Sequence, residues 1–138
     1  MLADQSKILV TGAAGFIGFH LSRLLLQEGF FVLGYDSLSN YYDVRLKKAR
    51  VKYLEQQPKF EIEVAQLEDK ERLVGSAQKF DPDVIVHLAA QAGVRHSLDY
   101  PEDYIRSNVE GSLNIFEAAK NLNIAHLLMA STSSIYGS

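Results

Sequence analysis

Lys7-Ile8-Leu9-Val10-Thr11-Gly12-Ala13-Ala14-Gly15-Phe16-Ile17-Gly18 carries an apolar run through three glycines into a segment with helical spacing. Gly12 allows a sharp turn off a strand, Gly15 removes a Cβ where the backbone must come close to a ligand, and Gly18 lets the helix settle tightly on the strand. The first-turn amides of such a helix, together with its dipole, face an anion. Between a buried strand and a helix, this spacing matches the cradle of a dinucleotide pyrophosphate; without that context it describes an ordinary tight turn.

Outward from the glycines, Ile17, Leu21, Leu24 and Leu25 recur at helical spacing until Gly29 stops the pattern. Phe30 to Leu33 begins a second strand, which ends at Gly34-Tyr35-Asp36. A polar loop then leads to Arg45, Lys47, Lys48, Arg50 and Lys52, interleaved with Val44, Leu46, Val51 and Leu54. That segment reads as an amphipathic helix with its charges in water rather than as a phosphate-binding patch, and Pro58 closes it. Phe60 to Val64 is a third strand, Asp69 to Phe80 a helix with Leu73 and Val74 inward, and Val84 to Leu88 the strongest buried strand. After a loop over residues 91–100, Pro101 opens a helix whose buried stripe is Ile105, Val109, Leu113 and Phe116, and His126 to Ala130 forms the last strand. Strands alternating with helices predict a parallel sheet covered on both faces, with a ligand at the carboxyl ends of the strands.

The 138 residues suit a single domain, 1–138, and 47% hydrophobic content is ordinary for a globular chain. A net charge of −3 gives no reason to expect nucleic acid. The first residues do not resemble a signal peptide and no apolar run is long enough to span a membrane. The absence of cysteine fits a reducing cytoplasm and excludes thiolate metal sites and a cysteine nucleophile. His20, His87, His96 and His126 show no ligand spacing, so structural roles are expected and no metal.

Asp36 lies about twenty residues past the glycines, where a carboxylate accepts hydrogen bonds from the adenosine ribose. That selects NAD, because a 2′-phosphate would meet a like charge; the alternative is a plain turn aspartate.

Over essentially its whole length the chain resembles the amino-terminal part of the extended short-chain dehydrogenase/reductases, in particular their nucleotide-sugar epimerases. The residues that carry the resemblance are Thr11 to Gly18, Tyr35-Asp36-Ser37-Leu38, His87 to Arg95, Asn108, and Ser131-Thr132-Ser133-Ser134-Ile135-Tyr136-Gly137. Residues 91–97 and Asn40-Tyr41-Tyr42-Asp43 look most like UDP-glucuronate 4-epimerases. The resemblance implies an α/β, Rossmann-type doubly wound sheet and a transient oxidation at sugar C4 with NAD, followed by return of hydride to the other face. It sets Phe16 and Ile17 against the pyrophosphate, Asp36 and Asn40 at the adenosine end, and Leu67 beside the adenine. Leu88, Ala89, Ala90, Gln91 and Asn108 are further expected to line the cofactor.

Thr132 matches the hydroxyl residue that shares the reacting proton with the family's catalytic tyrosine, a role suited to a group that both donates and accepts. Ser133 and Ser134 are expected near substrate. Family dehydratases have an acidic pair after the threonine, and decarboxylases a glutamate at the position of Ser134; serines cannot replace either, which favours simple epimerisation. Alternatively they only satisfy strand-end backbone. Arg95 reads as a partner of the diphosphate or of a uronate carboxylate, or else as a surface arginine. Tyr136 belongs to a Tyr-Gly signature and reads as packing.

Gln66 departs from the family, which has an aspartate accepting from the adenine amino group; a neutral glutamine is expected to weaken that contact. The family's Tyr-x-x-x-Lys helix and substrate domain would follow Ser138. The expectation is therefore a truncated epimerase, inactive alone, with a UDP-sugar as partner of the full-length parent and pairing into a homodimer through the helix around Asn108. A non-catalytic NAD-binding or interaction module is the alternative.

Overall fold

Alternation of side chains along each strand builds two cores from one sheet. The computed structural model describes residues 5–38, 44–88 and 109–129, with Glu102. The elements are β1 (Lys7–Thr11), α1 (Phe16–Gln27), β2 (Phe31–Asp36), α2 (Val44–Glu55), β3 (Phe60–Val64), α3 (Lys70–Phe80), β4 (Val84–His87), α4 (Gly111–Asn121) and β5 (His126–Met129). The strands lie in the order β3-β2-β1-β4-β5, and every pairing is parallel. The chain thus winds one way from β1 through β3 and the other way through β4 and β5, which opens a crevice at the carboxyl ends of β1 and β4. This is the doubly wound sheet expected from the sequence.

Ile8, Val10, Val32, Val84 and Val86 point to one face, where they pack with Leu54 and Phe60 beneath Leu21, Leu25 and Leu26 of α1. Leu9, Leu33, Tyr35 and Ile85 point to the other and meet Leu73 and Ala77 of α3 and Ile115 of α4. Fully burying each large aliphatic side chain contributes about 2 kcal/mol, so the alternation pins the register of β1, β2 and β4.

Local signals set the helix ends. Gly29 takes a positive φ of 93° just past α1, and Phe30 N–H returns to the Leu25 carbonyl at 3.1 Å. Asp69 caps α3 by accepting from the Arg72 N–H at 3.3 Å, and Asp81 ends it in the left-handed region at φ 55°.

The inward faces of two helices differ from the sequence expectation. In α1, Ile17 and Leu24 are exposed, and the residues nearest the sheet are the buried Gly18 and Ser22. In α4 the buried residues are Gly111, Ile115 and Ala118, whereas Val109, Leu113 and Phe116 face outward. Both helices approach their neighbours closely at a glycine, where a larger residue does not fit. A Cβ on Gly18 would lie 2.0 Å from the Gly12 carbonyl oxygen, and one on Gly111 would lie 2.9 Å from Leu67 Cβ. Hydrophobic periodicity cannot register glycine and serine as the buried face. Pro101, Ile105 and Ala130 lie outside the described residues.

Two glycine substitutions separate packing from propensity. Gly18→Ala should destabilise the fold by about 2 kcal/mol or more, because the obstacle is backbone. Gly75→Ala, exposed in α3 with nothing within 4 Å of the new Cβ, should stabilise it by about 0.5–1 kcal/mol. Urea unfolding of both variants checks the pair.

Candidate dinucleotide site

β1 delivers Thr11 and Gly12 to the crevice, and Gly12 turns at φ 72°. Its N–H is held by the Tyr35 carbonyl at 2.8 Å, and its own carbonyl accepts from Gly15 N–H at 3.0 Å. Gly15 then caps α1 without any side-chain hydrogen bond, so the cap itself puts no side chain over the first-turn amides. A Cβ built on Gly15 would lie 3.3 Å from the Gly12 carbonyl oxygen. A glycine N-cap at a helix start is an arrangement suited to a phosphate group, because the first-turn amides of a helix have no partner within the helix.

Asp36 at the end of β2 closes the loop from the side. Its Oδ2 accepts the Ala14 N–H at 2.9 Å and its Oδ1 the Leu38 N–H at 2.7 Å. A carboxylate has about four acceptor positions, so these two amide bonds do not by themselves saturate Asp36. The loop is held from the opposite side as well, because Arg50 Nη1 donates to the Ala14 carbonyl at 3.0 Å. Lys47 Nζ stands 3.8 Å from Asp36 Oδ1, with both side chains nearly buried. The expectation that the α2 charges simply face water is therefore corrected for these two. Arg45 and Lys48 are exposed, whereas Lys47 and Arg50 share the inward side with Val51 and Leu54, and Leu46 points outward. An inward cation needs a negative partner, and the loop carbonyl and Asp36 supply one.

A second anchor joins β1, β4 and α4. The Leu88 N–H donates to Thr11 Oγ at 2.9 Å, Thr11 Oγ lies 2.7 Å from His87 Nδ1, and His87 Nε2 lies 3.1 Å from Ser112 Oγ. With Thr11 donating its hydroxyl proton to Nδ1, the imidazole is neutral and Nε2–H donates to Ser112. Burial pushes the His87 pKa down to about 4.

Tyr35, buried beneath this floor, donates its hydroxyl to the Gln66 carbonyl at 3.2 Å. Burial, aided by the Asp69 and Glu63 carboxylates, raises its pKa to about 12, which keeps it a donor. The Gln66 side chain is exposed. Leu67 is buried in the second core, and its carbonyl accepts from Asn114 Nδ2 at 2.7 Å.

Gly12, Gly15, Phe16, Ile17, Gly18 and Asp36 thus come together as the glycine motif requires, with Phe16 and Ile17 exposed on the crevice helix. Leu88 is tied to them through Thr11. Asn40, Ala89, Ala90, Gln91, Arg95, Asn108, Thr132, Ser133 and Ser134 lie outside the described residues. Sequence reasoning missed Thr11, Lys47, Arg50, Ser112 and Asn114. For Lys47 and Arg50 the available signal was helical phase, since both align with Val51 and Leu54 rather than with Lys48. His20 sits edge-on between the rings of Phe16 and Phe19, at centroid distances of 4.8 and 5.1 Å. Among the described residues no cluster of histidine or acidic side chains is placed to hold a metal, and no helix is long and apolar enough to cross a membrane.

The model of the NAD dependent epimerase/dehydratase family matches residues 8–138. A probable UDP-glucuronate 4-epimerase of Rhizobium meliloti (strain 1021) is 50% identical over 131 residues, covering 95% of this chain and 38% of that protein. A UDP-glucuronate 4-epimerase of Thermodesulfobacterium geofontis (strain OPF15) is 42% identical, over 93% of this chain and 40% of its own length. Among solved structures, a UDP-glucose-4-epimerase from Stenotrophomonas maltophila with bound NAD and formylated UDP-arabinopyranose superposes with a TM-score of 0.82 at 29% identity. That match covers 96% of this chain and 38% of the other. The chain therefore spans about two fifths of the length of these relatives.

His87 predicts a pH dependence. Its folded pKa lies near 4, below the unfolded value near 6.5, so between these values the unfolded chain holds more protons. The stability from a neutral His87 is present above pH 6.5 and is lost as pH falls towards 4. In His87→Gln, the urea midpoint measured across this window should fall less steeply with decreasing pH than in the wild type.

Proposed function

Because the chain belongs to the NAD dependent epimerase/dehydratase family, we propose that it forms the NAD-binding portion of a nucleotide-sugar 4-epimerase acting on UDP-glucuronate or a similar UDP-sugar. The observation that carries this reading is the Ala14 loop, fixed between Asp36 and Arg50 at the start of the glycine-capped helix α1. Two relatives named as UDP-glucuronate 4-epimerases support the substrate.

In this reading Gly12, Gly15, Phe16, Ile17 and Gly18 hold the pyrophosphate and Asp36 and Asn40 the adenosine ribose. Leu67 borders the adenine through its backbone, since its side chain is committed to the core. Leu88, Ala89, Ala90, Gln91 and Asn108 line the cofactor. Bound NAD supplies a reversible hydride acceptor. Thr132 shares the proton of the sugar hydroxyl with the family's tyrosine, while Ser133, Ser134 and Arg95 face the substrate. The neutral Thr11-His87-Ser112 chain fixes the crevice floor. It moves no proton in the reaction, because a histidine with a pKa near 4 is a poor base at neutral pH.

The remaining proposals concern assembly and place. The exposed Leu113 and Phe116 on α4, with Val109 just before it, support pairing into a homodimer. The net charge of −3 supports no nucleic-acid partner, and the absence of cysteine supports a cytoplasmic location.

Calorimetry with NAD tests the cofactor assignment. Asp36→Ala should weaken binding by about tenfold or more, through lost ribose contacts and a loosened Ala14 amide; wild-type protein that is folded and binds no NAD contradicts the reading. Leu113→Asp should shift the protein to monomer in sedimentation velocity if α4 is the pairing face.

A further inference from the structure

We infer that α4 sets the spacing of the dinucleotide site, with Asn114 the positioning residue for its adenosine end and Ser112 the positioning residue for its other end. The inference rests on the assignment of Asp36 to the adenosine ribose and extends it to a helix that the glycine motif does not include.

The strand order supplies the frame. β2 and β3 lie on one side of β1, and β4 and β5 on the other. A dinucleotide with its pyrophosphate on the loop after β1 and its adenosine at Asp36 therefore reaches across the ends of β2 and β3 on one side and the end of β4 on the other. On the first side, the chain leaving β3 is bonded back to β2: the Ala65 N–H donates to the Asp36 carbonyl at 3.1 Å, and the Tyr35 hydroxyl to the Gln66 carbonyl at 3.2 Å. The next carbonyl, that of Leu67, is taken by α4, where Asn114 Nδ2 donates to it at 2.7 Å. Gly111 makes this seat possible, since a Cβ there would lie 2.9 Å from Leu67 Cβ. On the second side, His87 ends β4, and its Nε2 lies 3.1 Å from Ser112 Oγ. Gly111, Ser112 and Asn114 thus reach both sides of the crevice, while Leu113 among them is exposed.

Apolar packing does not fix where a helix lies along a sheet. Ile115 buries its side chain in the second core, a contact without direction, whereas the Asn114 and Ser112 bonds hold only at a set distance and angle. Without Asn114, the Leu67 carbonyl turns towards water and takes the chain after β3 with it, because a polar group left unpaired in a protected place is costly. Without Ser112, the His87 ring loses its acceptor, and the end of β4, where the Leu88 N–H is bonded to Thr11 Oγ, loses its tie to α4. Each bond therefore governs a different end of a ligand laid across the crevice.

The test is titration of AMP and of NAD into wild type, Asn114→Ala and Ser112→Ala, followed by NMR, with circular dichroism confirming the fold of each. AMP carries the adenosine and a single phosphate, so it reports on the first side of the crevice. Asn114→Ala should weaken AMP and NAD alike, each about fivefold, whereas Ser112→Ala should weaken NAD about threefold and leave AMP within about twofold. A general loss of stability does not divide the two ligands in this way. If Asn114→Ala does not fold, Asn114→Asp, which keeps the size and at neutral pH presents no donor, should give the same pattern. A folded Asn114 variant that binds AMP as wild type does, or a Ser112→Ala change that weakens AMP as much as NAD, overturns the inference while leaving the NAD assignment intact. A folded wild type that binds neither AMP nor NAD overturns both.

Discussion

The approach of α1 to the Gly12 peptide is the constraint on which the rest of the structure depends. Gly18 sits so near the Gly12 carbonyl that a Cβ there would lie 2.0 Å from its oxygen. This closeness aims the helix start at the crevice, and it sets Gly15 at the N-cap, where a Cβ would lie 3.3 Å from the Gly12 carbonyl oxygen. It also dictates that Gly18 and Ser22, rather than Ile17 and Leu24, form the inward line of α1. Gly34 of β2 meets the same constraint from beneath: a Cβ there would lie 2.8 Å from that of Ala13. The loop is therefore seated on glycines from two elements before any polar group holds it.

Polar anchors then fix what packing has positioned. Ala14 is bonded at its N–H by β2 and at its carbonyl by α2, while Thr11 gathers β4 through Leu88 and His87 and reaches α4 through Ser112. Every one of these contacts joins segments distant in the chain. The crevice consequently has a rigid floor and a rigid glycine loop, the preorganisation that lowers the ordering cost of binding a long flexible ligand.

Much of this was legible in the sequence, and the missing parts share a physical cause. The central strands β1 and β4 show as apolar runs because they are buried on both faces, and β1 extends its predicted core by one position at each end, whereas the edge strand β3 is recovered to the residue from its alternation of apolar and charged side chains. The glycine spacing and Asp36 could be read because both requirements are local, and the structure joins them through the Ala14 N–H and Asp36. Helix faces were misread where the closest approach uses glycine, serine or alanine, as in α1 and α4, since those residues carry little hydrophobic signal. The inward cations of α2 were misread for a different reason: the groups that neutralise them, Asp36 and the Ala14 carbonyl, are near only after folding.

The central claim is that a dinucleotide lies across the amides of the glycine loop and beside Asp36. An NMR titration of amide shifts with NAD addresses it residue by residue. The account predicts saturable shifts concentrated at Gly12, Ala14, Gly15, Phe16, Ile17 and Leu38, with the far ends of the strands, Lys7 and Val84, nearly unmoved. Saturable shifts centred elsewhere, or a folded protein whose loop amides do not respond, would contradict it.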